Sequence, residues 1–179
     1  RHMTQRDQEH DYVFNWNRLK KVAPLANKPF ELLDETLRDG IQSPSVTDPC
    51  IEEKIELIHL MESLGIASVD HGLPGAGKRQ QDDVTALIKE IQTTGMKLKP
   101  TCAARTMVRD IQPIADIVQK TGHPIECYAF IGSSPIRLFA ETWTVDTLLG
   151  HIEESISFAI KEGLKICLVT EDTTRSRPD

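Results

Sequence analysis

The feature that most constrains the fold is a regular alternation, from residue 30 onward, of short apolar or β-branched runs with amphipathic helical patterns. The runs that predict strands are 30–36, 66–70, 98–104, 125–131 and 165–170. Parallel strands need a crossover connection, which is usually a helix, so repeated alternation of strand and helix predicts a parallel sheet. We therefore expect an α/β protein.

The helical patterns lie between these runs, and the first is the clearest. Pro49 suits a first helical turn, and apolar residues recur at helical spacing from Ile51 to Met61, before a stop at Gly65. Similar spacing predicts helices over 80–94, 108–120 and 144–162.

Two architectures fit the alternation, and periodicity alone does not separate them. One is a doubly wound open sheet with helices on both faces, and the other is a (β/α)8 barrel with helices around its outside. The strands start roughly every 30 to 40 residues, so eight units would need about 250 residues, the usual size of a barrel. Five strands are predicted in these 179 residues.

Composition narrows the function classes. The net charge is −6 and the basic residues are scattered among acidic ones, which argues against nucleic acid as a partner because phosphate binding needs clustered Lys and Arg. No apolar run approaches the roughly 20 residues of a membrane span, so we expect a cytoplasmic protein of small-molecule metabolism. Four cysteines without a C-x-x-C pair predict reduced, mostly buried thiols.

The first 29 residues stand apart from the alternating region. The opening RHM is typical of an expression-tag remnant, with Met3 as the native start. Tyr12, Phe14 and Trp16 follow closely and predict an N-terminal helix or arm that packs its aromatic side chains on the body. We therefore interpret residues 1–29 as tag remnant and arm, and residues 30–179 as the α/β body.

Charged and polar side chains recur at the predicted carboxyl end of every strand. Because these ends meet at one edge of a parallel sheet, where ligands bind, they predict a functional face. The candidates in chain order are Asp34, Glu35, Arg38, Asp39, Gln42, Asp70, His71, Cys102, Arg105, Tyr128, Ser133, Ser134, Glu171, Asp172, Thr173 and Arg175.

The first strand end, DETLRDGIQ at residues 34–42, carries the densest set of charges. An ionised carboxylate such as Asp39 can bind a hard divalent cation, and the adjacent Arg38 can stabilise negative charge on an oxygen. A surface ion pair at a glycine turn is the alternative interpretation of the same residues.

The segment HGLPGAGKR at residues 71–79 has the spacing of a phosphate-binding loop, G-x-x-x-x-G-K-S/T, except at its last position. Arg79 stands where the motif places the hydroxyl that holds Mg²⁺. A P-loop nucleotide hydrolase is therefore disfavoured, and the glycines are better explained by a tight backbone turn. Lys78 and Arg79 either meet ligand phosphates or form a solvated basic pair.

Five strand-end segments, in order, resemble those of the Claisen-condensing barrel enzymes, the family of 2-isopropylmalate, homocitrate and citramalate synthases. The segments are DETLRDGIQ, SVDHGLPGAG, CAARTM, FIGSSPIRL and TEDTTRS. The resemblance implies a (β/α)8 TIM-barrel fold, truncated here to about the first five βα units. Residues 30–179 would then be the N-terminal part of the catalytic domain.

In the family that this chain resembles, a divalent metal holds a 2-oxo acid while the enolate of acetyl-CoA attacks its keto carbon. The resemblance implies Mg²⁺, Mn²⁺ or Zn²⁺ as cofactor, Asp39 as a metal ligand, and Arg38 as the stabiliser of enolate or alkoxide charge. Glu171 would orient substrate or transfer a proton. The implied substrate-binding residues are Gln42, Asp70, His71, Tyr128, Ser133, Ser134 and Arg175.

The chain also departs from the family pattern. Tyr128 stands where the synthases usually carry a His and Val169 where they usually carry a Ser, which leaves the 2-oxo acid open. None of the six histidines forms the His-x-His pair that supplies further metal ligands in the family. We expect those ligands outside this chain, and we expect the 179-residue chain alone to be inactive. A lyase or aldolase of the same family and a non-catalytic assembly module are the alternatives.

Such a segment of a barrel would leave unpaired backbone groups along its first and fifth strands, which invite association. We therefore predict a homo-oligomer. Light scattering from a concentrated solution tests this prediction, and a monodisperse monomer would count against it.

Overall fold

The computed structural model describes residues 30–177, so the predicted N-terminal arm lies outside the described residues. The strands are β1 (Leu33–Asp34), β2 (Ser68–Asp70), β3 (Lys99–Arg105), β4 (Glu126–Gly132) and β5 (Lys165–Glu171). The helices are α1 (Ile51–Ser63), α2 (Lys78–Thr94), α3 (Val108–Thr121), α4 (Pro135–Glu141) and α5 (Val145–Lys161). None of the helices in this range has the length and apolar character of a membrane span.

The strands form one sheet in the order of the sequence, and each is parallel to the next. A doubly wound sheet reverses its strand order at a switch point, whereas a barrel adds each strand beside the previous one. The helices keep the same order, with α1 packed on α2, α2 on α3 and α3 on α5. The order resolves the two architectures in favour of the barrel type, with β1 and β5 as the sheet edges in the described residues.

The helix layer covers one face of the sheet and buries an apolar core against it. Side chains alternate between the two faces of a strand, so Val69, Cys127 and Ala129 face the helices and join the core. They meet the apolar stripes of the helices, in which Ile88 and Ile114 have no exposed surface. The opposite face of the sheet is left open by the described helices.

The four cysteines are free thiols, as the sequence predicts, although only two of them are buried. Cys102 and Cys127 are buried in register on adjacent strands, Cys167 is half-buried, and Cys50 is exposed at the start of α1. Burial raises the pKa of Cys127 to about 12. This thiol therefore keeps its proton at neutral pH and is a poor nucleophile.

Side-chain hydrogen bonds set two of the element boundaries. β1 is shorter than the predicted 30–36, because the Thr36 N–H donates to Asp34 Oδ1 (2.8 Å) and turns the chain. α1 starts with a capping box in which the Cys50 N–H donates to Glu53 Oε2 (2.8 Å).

The short helix α4 has no counterpart among the elements predicted from the sequence. Its start nevertheless carries a recognisable signal. Ser134 caps the helix by accepting a hydrogen bond from the Arg137 N–H (3.3 Å), and Pro135 occupies the first helical position.

A buried lysine joins the loop after β1 to α1 and α2. Lys54 on α1 is 2% exposed, and its Nζ lies 2.8 Å from carboxylate oxygens of both Asp48 and Asp83. Burial alone would lower the pKa of Lys54, but the two aspartates outweigh it and the pKa is raised. The charge is thus retained inside the fold, where removing either partner is costly.

Candidate functional site

The open face of the sheet carries a cavity of about 130 Å³ at the carboxyl ends of the strands, called the central cavity below. Its lining residues are Glu35, Arg38, Asp70, Ala103, Tyr128, Phe130, Val169 and Glu171. Every strand or the loop that follows it contributes to this lining. The structure thus brings together five residues predicted at the strand ends, Glu35, Arg38, Asp70, Tyr128 and Glu171.

Arg38 is the centre of an ion-pair network on the β1 side of the cavity. Its Nε donates to Asp70 Oδ2 (3.3 Å), and its Nη1 donates to Asp39 Oδ1 (3.0 Å). Its Nη2 donates to Glu35. Three carboxylates hold the plane of the guanidinium, while 22% of the side chain stays exposed. Such a fixed positive group can stabilise charge that develops on a substrate oxygen.

Asp70 is the buried member of this network, with its side chain 1% exposed. Its Oδ1 accepts a hydrogen bond from the Gly72 N–H (3.2 Å). Burial raises the pKa of Asp70 to about 6, although the Gly72 N–H and the charge of Arg38 act in the opposite direction. Asp70 therefore holds Arg38 from the buried side of the network. It also titrates closer to neutral pH than an ordinary aspartate.

Asp39, the predicted metal ligand, lies on the rim with a carboxylate that is 68% exposed. Among residues 30–177, no group of three or more His, Cys, Asp or Glu side chains is placed to hold a metal ion. One exposed carboxylate paired with an arginine offers too few donors, because divalent cations take about four to eight ligands. The described residues do not form a metal site by themselves.

Tyr128 and Glu171 line the cavity on the β4 and β5 side. In the described part of the chain, neither side chain has a hydrogen-bond or ion-pair partner. Burial, followed by the charge of Glu126, raises the pKa of Tyr128. Its hydroxyl therefore stays protonated and can donate a hydrogen bond to a ligand. Glu171 ends β5 and is exposed. Both groups are free to contact a substrate.

His71 lies away from the central cavity. It is 2% exposed, its Nδ1 lies 2.8 Å from the Val69 carbonyl oxygen, and its Nε2 has no partner among the described residues. The His71 N–H donates to the Thr101 carbonyl oxygen (2.9 Å) and extends the β2–β3 ladder by one residue. Neighbouring residues in a ladder point to opposite faces, so His71 faces the helices while Asp70 faces the cavity. Burial lowers the pKa of His71 to about 4. This placement gives no support to the expectation that His71 faces the substrate.

Ser133, Ser134 and Arg175 connect the loops after β4 and β5. The Ser134 Oγ donates to Asp172 Oδ2 (2.5 Å), and Arg175 pairs with the same carboxylate. The hydroxyls of Ser133 and Ser176 lie 2.8 Å apart. These contacts connect the two loops outside the central cavity. That Ser133, Ser134 and Arg175 contact a substrate stays a prediction.

Gln42 lines a second cavity, of about 240 Å³, on the other side of Arg38. The segment at residues 71–79 forms one wall, through Gly72, Leu73 and Ala76. Gln42 is therefore close to the predicted site but does not line its central cavity.

The basic residues of the segment at 71–79 are paired with acids. Arg79 Nη2 lies 2.8 Å from Asp48 Oδ2, and Lys78 pairs with Asp82 at the start of α2. Gly75 leaves little room for a side chain, because a Cβ there would lie 3.1 Å from the Cα of Asp110 on α3. Gly72 and Gly77 instead have φ values of 142° and 141°, which glycine adopts readily at a backbone turn.

A third cavity, called the side cavity below, measures about 130 Å³ and adjoins the central cavity, because Phe130 and Glu171 line both. The rest of its wall includes Arg105, Met107, Arg137, Glu141, Trp143 and His151. Of these, the strand-end pattern indicated only Arg105, which is held by Asp110. Arg137 and Trp143 lie in or just after α4, so the Ser-Pro start of that helix is the one signal that could have found them.

Comparison with known proteins gives a family and several relatives. A family model described as HMGL-like matches residues 29–179. A 2-isopropylmalate synthase of Streptococcus gallolyticus is 31% identical over 150 residues, and one of Lactococcus lactis subsp. cremoris is 28% identical over 153 residues. The homocitrate synthase AksA of Methanocaldococcus jannaschii is 28% identical over 179 residues.

The matches cover most of this chain but a minor part of each relative. They span 83%, 85% and 93% of the chain in the order given above, against 28%, 29% and 40% of the relatives. The chain thus spans less than half the length of the curated relatives that it matches.

Proposed function

The chain belongs to the HMGL-like family, and on that premise we propose that it is part of an acyltransferase that condenses acetyl-CoA with a 2-oxo acid. The matched relatives are named 2-isopropylmalate and homocitrate synthases, and a role in leucine-type amino-acid biosynthesis follows the first of these names. The observation that carries the proposal is the convergence of Arg38, Asp70, Tyr128 and Glu171 on one cavity.

Arg38 suits the charge changes of this reaction. Negative charge develops on the thioester oxygen when the acetyl methyl group loses a proton, and on the keto oxygen when the new carbon–carbon bond forms. A guanidinium keeps its proton at neutral pH, and Asp70 holds that of Arg38 at the cavity wall before any charge develops. A donor that is already oriented needs no reorganisation at the moment of reaction.

Glu171 and Tyr128 supply the remaining polar groups. The Glu171 carboxylate is exposed and has no partner among the described residues, so it can accept a proton or orient a substrate. The Tyr128 hydroxyl can donate a hydrogen bond to the 2-oxo acid. Val169, beside them in the lining, offers an apolar contact for the side chain of that acid.

The resemblance to the synthases implies a divalent metal, which the described residues do not hold by themselves. We propose that Asp39 is one ligand of Mg²⁺, Mn²⁺ or Zn²⁺ and that the other ligands lie outside the given sequence. The 179-residue chain alone is then expected to lack the condensing activity.

Thiol release from acetyl-CoA, measured with a panel of 2-oxo acids and with or without Mg²⁺ or Mn²⁺, tests the proposed function. The assay compares the gene product that contains this sequence with its Asp39→Ala variant and with the 179-residue chain. Asp116→Ala, which removes an exposed carboxylate on α3, is the matched control. We expect release only when a 2-oxo acid is present and Asp39 is intact.

Three outcomes would contradict this proposal. Thiol release that does not depend on a 2-oxo acid would contradict the synthase assignment. Thiol release that is unchanged in the Asp39→Ala variant would also contradict it. Cleavage of a 3-hydroxyacyl-CoA in the absence of any 2-oxo acid would favour a lyase of the same family.

A further inference from the structure

Glu171 lines both the central cavity and the side cavity, yet its side chain is unsupported among the described residues. Its carboxylate has no hydrogen-bond or ion-pair partner there, whereas Arg38 is held by three carboxylates. Glu171 is the last residue of β5 and the last to pair with β4, opposite Gly132. The backbone at and just after Glu171 therefore sets the position of its carboxylate.

The chain turns immediately after Glu171, at Asp172. This residue has the left-handed backbone conformation, with φ 57° and ψ 30°. Few residues other than glycine adopt this conformation without cost, and aspartate does so where its side chain is hydrogen-bonded locally. The position of Glu171 thus depends on the interactions that hold Asp172.

Both carboxylate oxygens of Asp172 are bound, in a group of contacts called the Asp172 clamp below and formed by Ser133, Ser134, Asp172, Arg175 and Ser176. The Ser134 Oγ donates to Oδ2 (2.5 Å), and the Arg175 side chain donates to Oδ1. The Asp172 carbonyl oxygen accepts from the Arg175 N–H (2.9 Å) and from the Ser176 Oγ (3.3 Å). The turn after Glu171 is therefore fixed through its side chain and its backbone.

The clamp is anchored on the β4 side by Ser134. This residue has no exposed surface, and its hydroxyl accepts from the Arg137 N–H (3.3 Å) at the start of α4 while it donates to Asp172. Ser133 adds a second link. Because the Ser176 hydroxyl donates its proton to Asp172, Ser133 is the donor in the 2.8 Å contact between the two hydroxyls. The turn after β5 is thus tied to the loop after β4.

We propose that Ser134 and Asp172 are positioning residues, which hold the Glu171 carboxylate through the Asp172 clamp at the place where the central and side cavities meet. The action of Glu171 on a substrate rests on the proposed function, whereas the clamp itself does not. A carboxylate that transfers a proton must lie within hydrogen-bond distance of the reacting atom, and a displacement of about 1 Å can lower a rate about 100-fold. The clamp thus acts on kcat without touching the substrate.

Steady-state kinetics of the gene product that contains this sequence measures this effect. Ser134→Ala removes one donor of the clamp, and Asp172→Asn presents an amide NH2 to one of two groups that both donate. Each should lower kcat about 10- to 100-fold, with a smaller change in KM, because the other groups of the central cavity stay in place. The double variant Ser134→Ala/Asp172→Ala should lose no more than Asp172→Ala alone, since the two residues share one contact.

Thr144→Ala is the matched control for Ser134→Ala. The Thr144 hydroxyl caps α5 by accepting from the Thr147 N–H (3.1 Å), as the Ser134 hydroxyl caps α4, but it takes no part in the clamp. Its removal should lower stability by a similar amount and leave kcat unchanged.

A pair of variants at position 172 separates positioning from stability. Asp172→Ala and Asp172→Gly both remove the side-chain contacts of the clamp, so both should lower kcat to the same extent. Alanine meets the cost of the left-handed backbone and glycine does not, so Asp172→Gly should unfold at the higher temperature. If the clamp served stability alone, kcat would follow the unfolding temperature instead.

Amide hydrogen exchange in the 179-residue chain tests the clamp without the reaction. The Arg175 N–H donates to the Asp172 carbonyl oxygen, so its exchange rate reports whether the turn is closed. Ser134→Ala should speed this exchange about tenfold, the loss typical of one hydrogen bond to a charged group. Thr144→Ala should leave it unchanged.

Four results would overturn the proposal. These are a kcat that Ser134→Ala and Asp172→Asn leave unchanged, a kcat that Thr144→Ala lowers equally, a kcat that follows the unfolding temperature in the pair at position 172, and an Arg175 exchange rate that Ser134→Ala leaves unchanged. Failure of the proposed function gives a different pattern. If Ser134→Ala speeds the exchange while the gene product condenses no 2-oxo acid, the clamp stands and the proposed reaction fails.

Discussion

The two faces of the sheet are built from alternate residues of the same strands, yet different interactions hold them. Val69 is buried against the helices, while Asp70 beside it lines the central cavity and holds Arg38. Cys127 and Tyr128 divide in the same way on β4. The covered face buries apolar surface, and the open face arranges charges that are partly exposed. The face on which a residue lies, more than its place along the chain, thus decides whether it serves stability or chemistry.

The largest expected effect is on stability, and it should distinguish the two faces. Ile88 in the helix layer has no exposed surface, so Ile88→Ala should lower the free energy of unfolding by about 2 to 5 kcal/mol. Val169→Ala on the open face shortens a half-buried side chain and should lower it by no more than about 1 kcal/mol. Urea denaturation measures both, and equal losses would break the distinction.

Substitutions on the open face should affect activity more than substitutions on the covered face do, which is the reverse of their effects on stability. In the gene product that contains this sequence, Arg38→Gln should lower kcat for the condensation by about 100- to 1,000-fold, because a fixed charge at a developing oxyanion is lost. Arg38→Lys keeps the charge but not the planar fork, so only part of the rate should return. Steady-state kinetics measures kcat for both variants. An unchanged kcat in Arg38→Gln would exclude a role of this residue in the chemical step.

The pH dependence of stability should also differ between the faces, because Asp70 and His71 are neighbours with opposite pKa changes. Burial raises the pKa of Asp70 from 3.8 to about 6 and lowers that of His71 from 6.5 to about 4. The contribution of Asp70 is therefore complete at low pH and is lost as the pH rises through about 6. The contribution of His71 is complete above about pH 6.5 and is lost as the pH falls toward about 4. Each amounts to about 3 kcal/mol.

Single variants should separate these two opposing contributions. The Asp70→Asn variant keeps only the pH dependence that comes from His71. Its free energy of unfolding should therefore rise between about pH 4 and pH 6, the pKa values of His71 and Asp70. His71→Gln leaves the effect of Asp70, so its free energy of unfolding should fall across the same range. Urea denaturation over this range measures both slopes, and two parallel profiles would contradict the assignment.

The smallest expected effect belongs to Tyr128. Its hydroxyl has no partner in the described part of the chain, so Tyr128→Phe should change the free energy of unfolding by less than about 0.5 kcal/mol. If the hydroxyl binds the 2-oxo acid, KM for that substrate should rise up to about tenfold with kcat nearly unchanged. Ser134→Ala provides the comparison, since its buried hydroxyl binds Asp172 and its loss should lower stability by about 1 kcal/mol.

Sequence patterns predicted the long elements because their periodicity is the same property that packs them. β3 was predicted at 98–104 and spans Lys99–Arg105. The pattern overestimated β1, because the hydrogen bond that turns the chain at Asp34 leaves no trace in hydrophobic periodicity. It also missed α4, whose seven residues make too few turns to show a periodic stripe.

The same contrast applies to the site. The strand-end rule found Arg38, Asp70, Tyr128 and Glu171 because it depends only on parallel topology. It could not tell that the alternation of faces continues through His71. It also could not find Arg137, which reaches the site by packing on Gly132 from a helix outside the sheet. Contacts of this kind depend on tertiary structure.

The sequential strand order has a consequence for how the chain comes together. Each strand pairs with the one made just before it, across a helical connection. Parallel pairing of this kind closes a long loop before the two strands meet, which makes it slower to form than a hairpin. During synthesis the N-terminal part emerges first, so the sheet can assemble strand by strand, and at every stage the most recent strand offers its free edge as the template for the next.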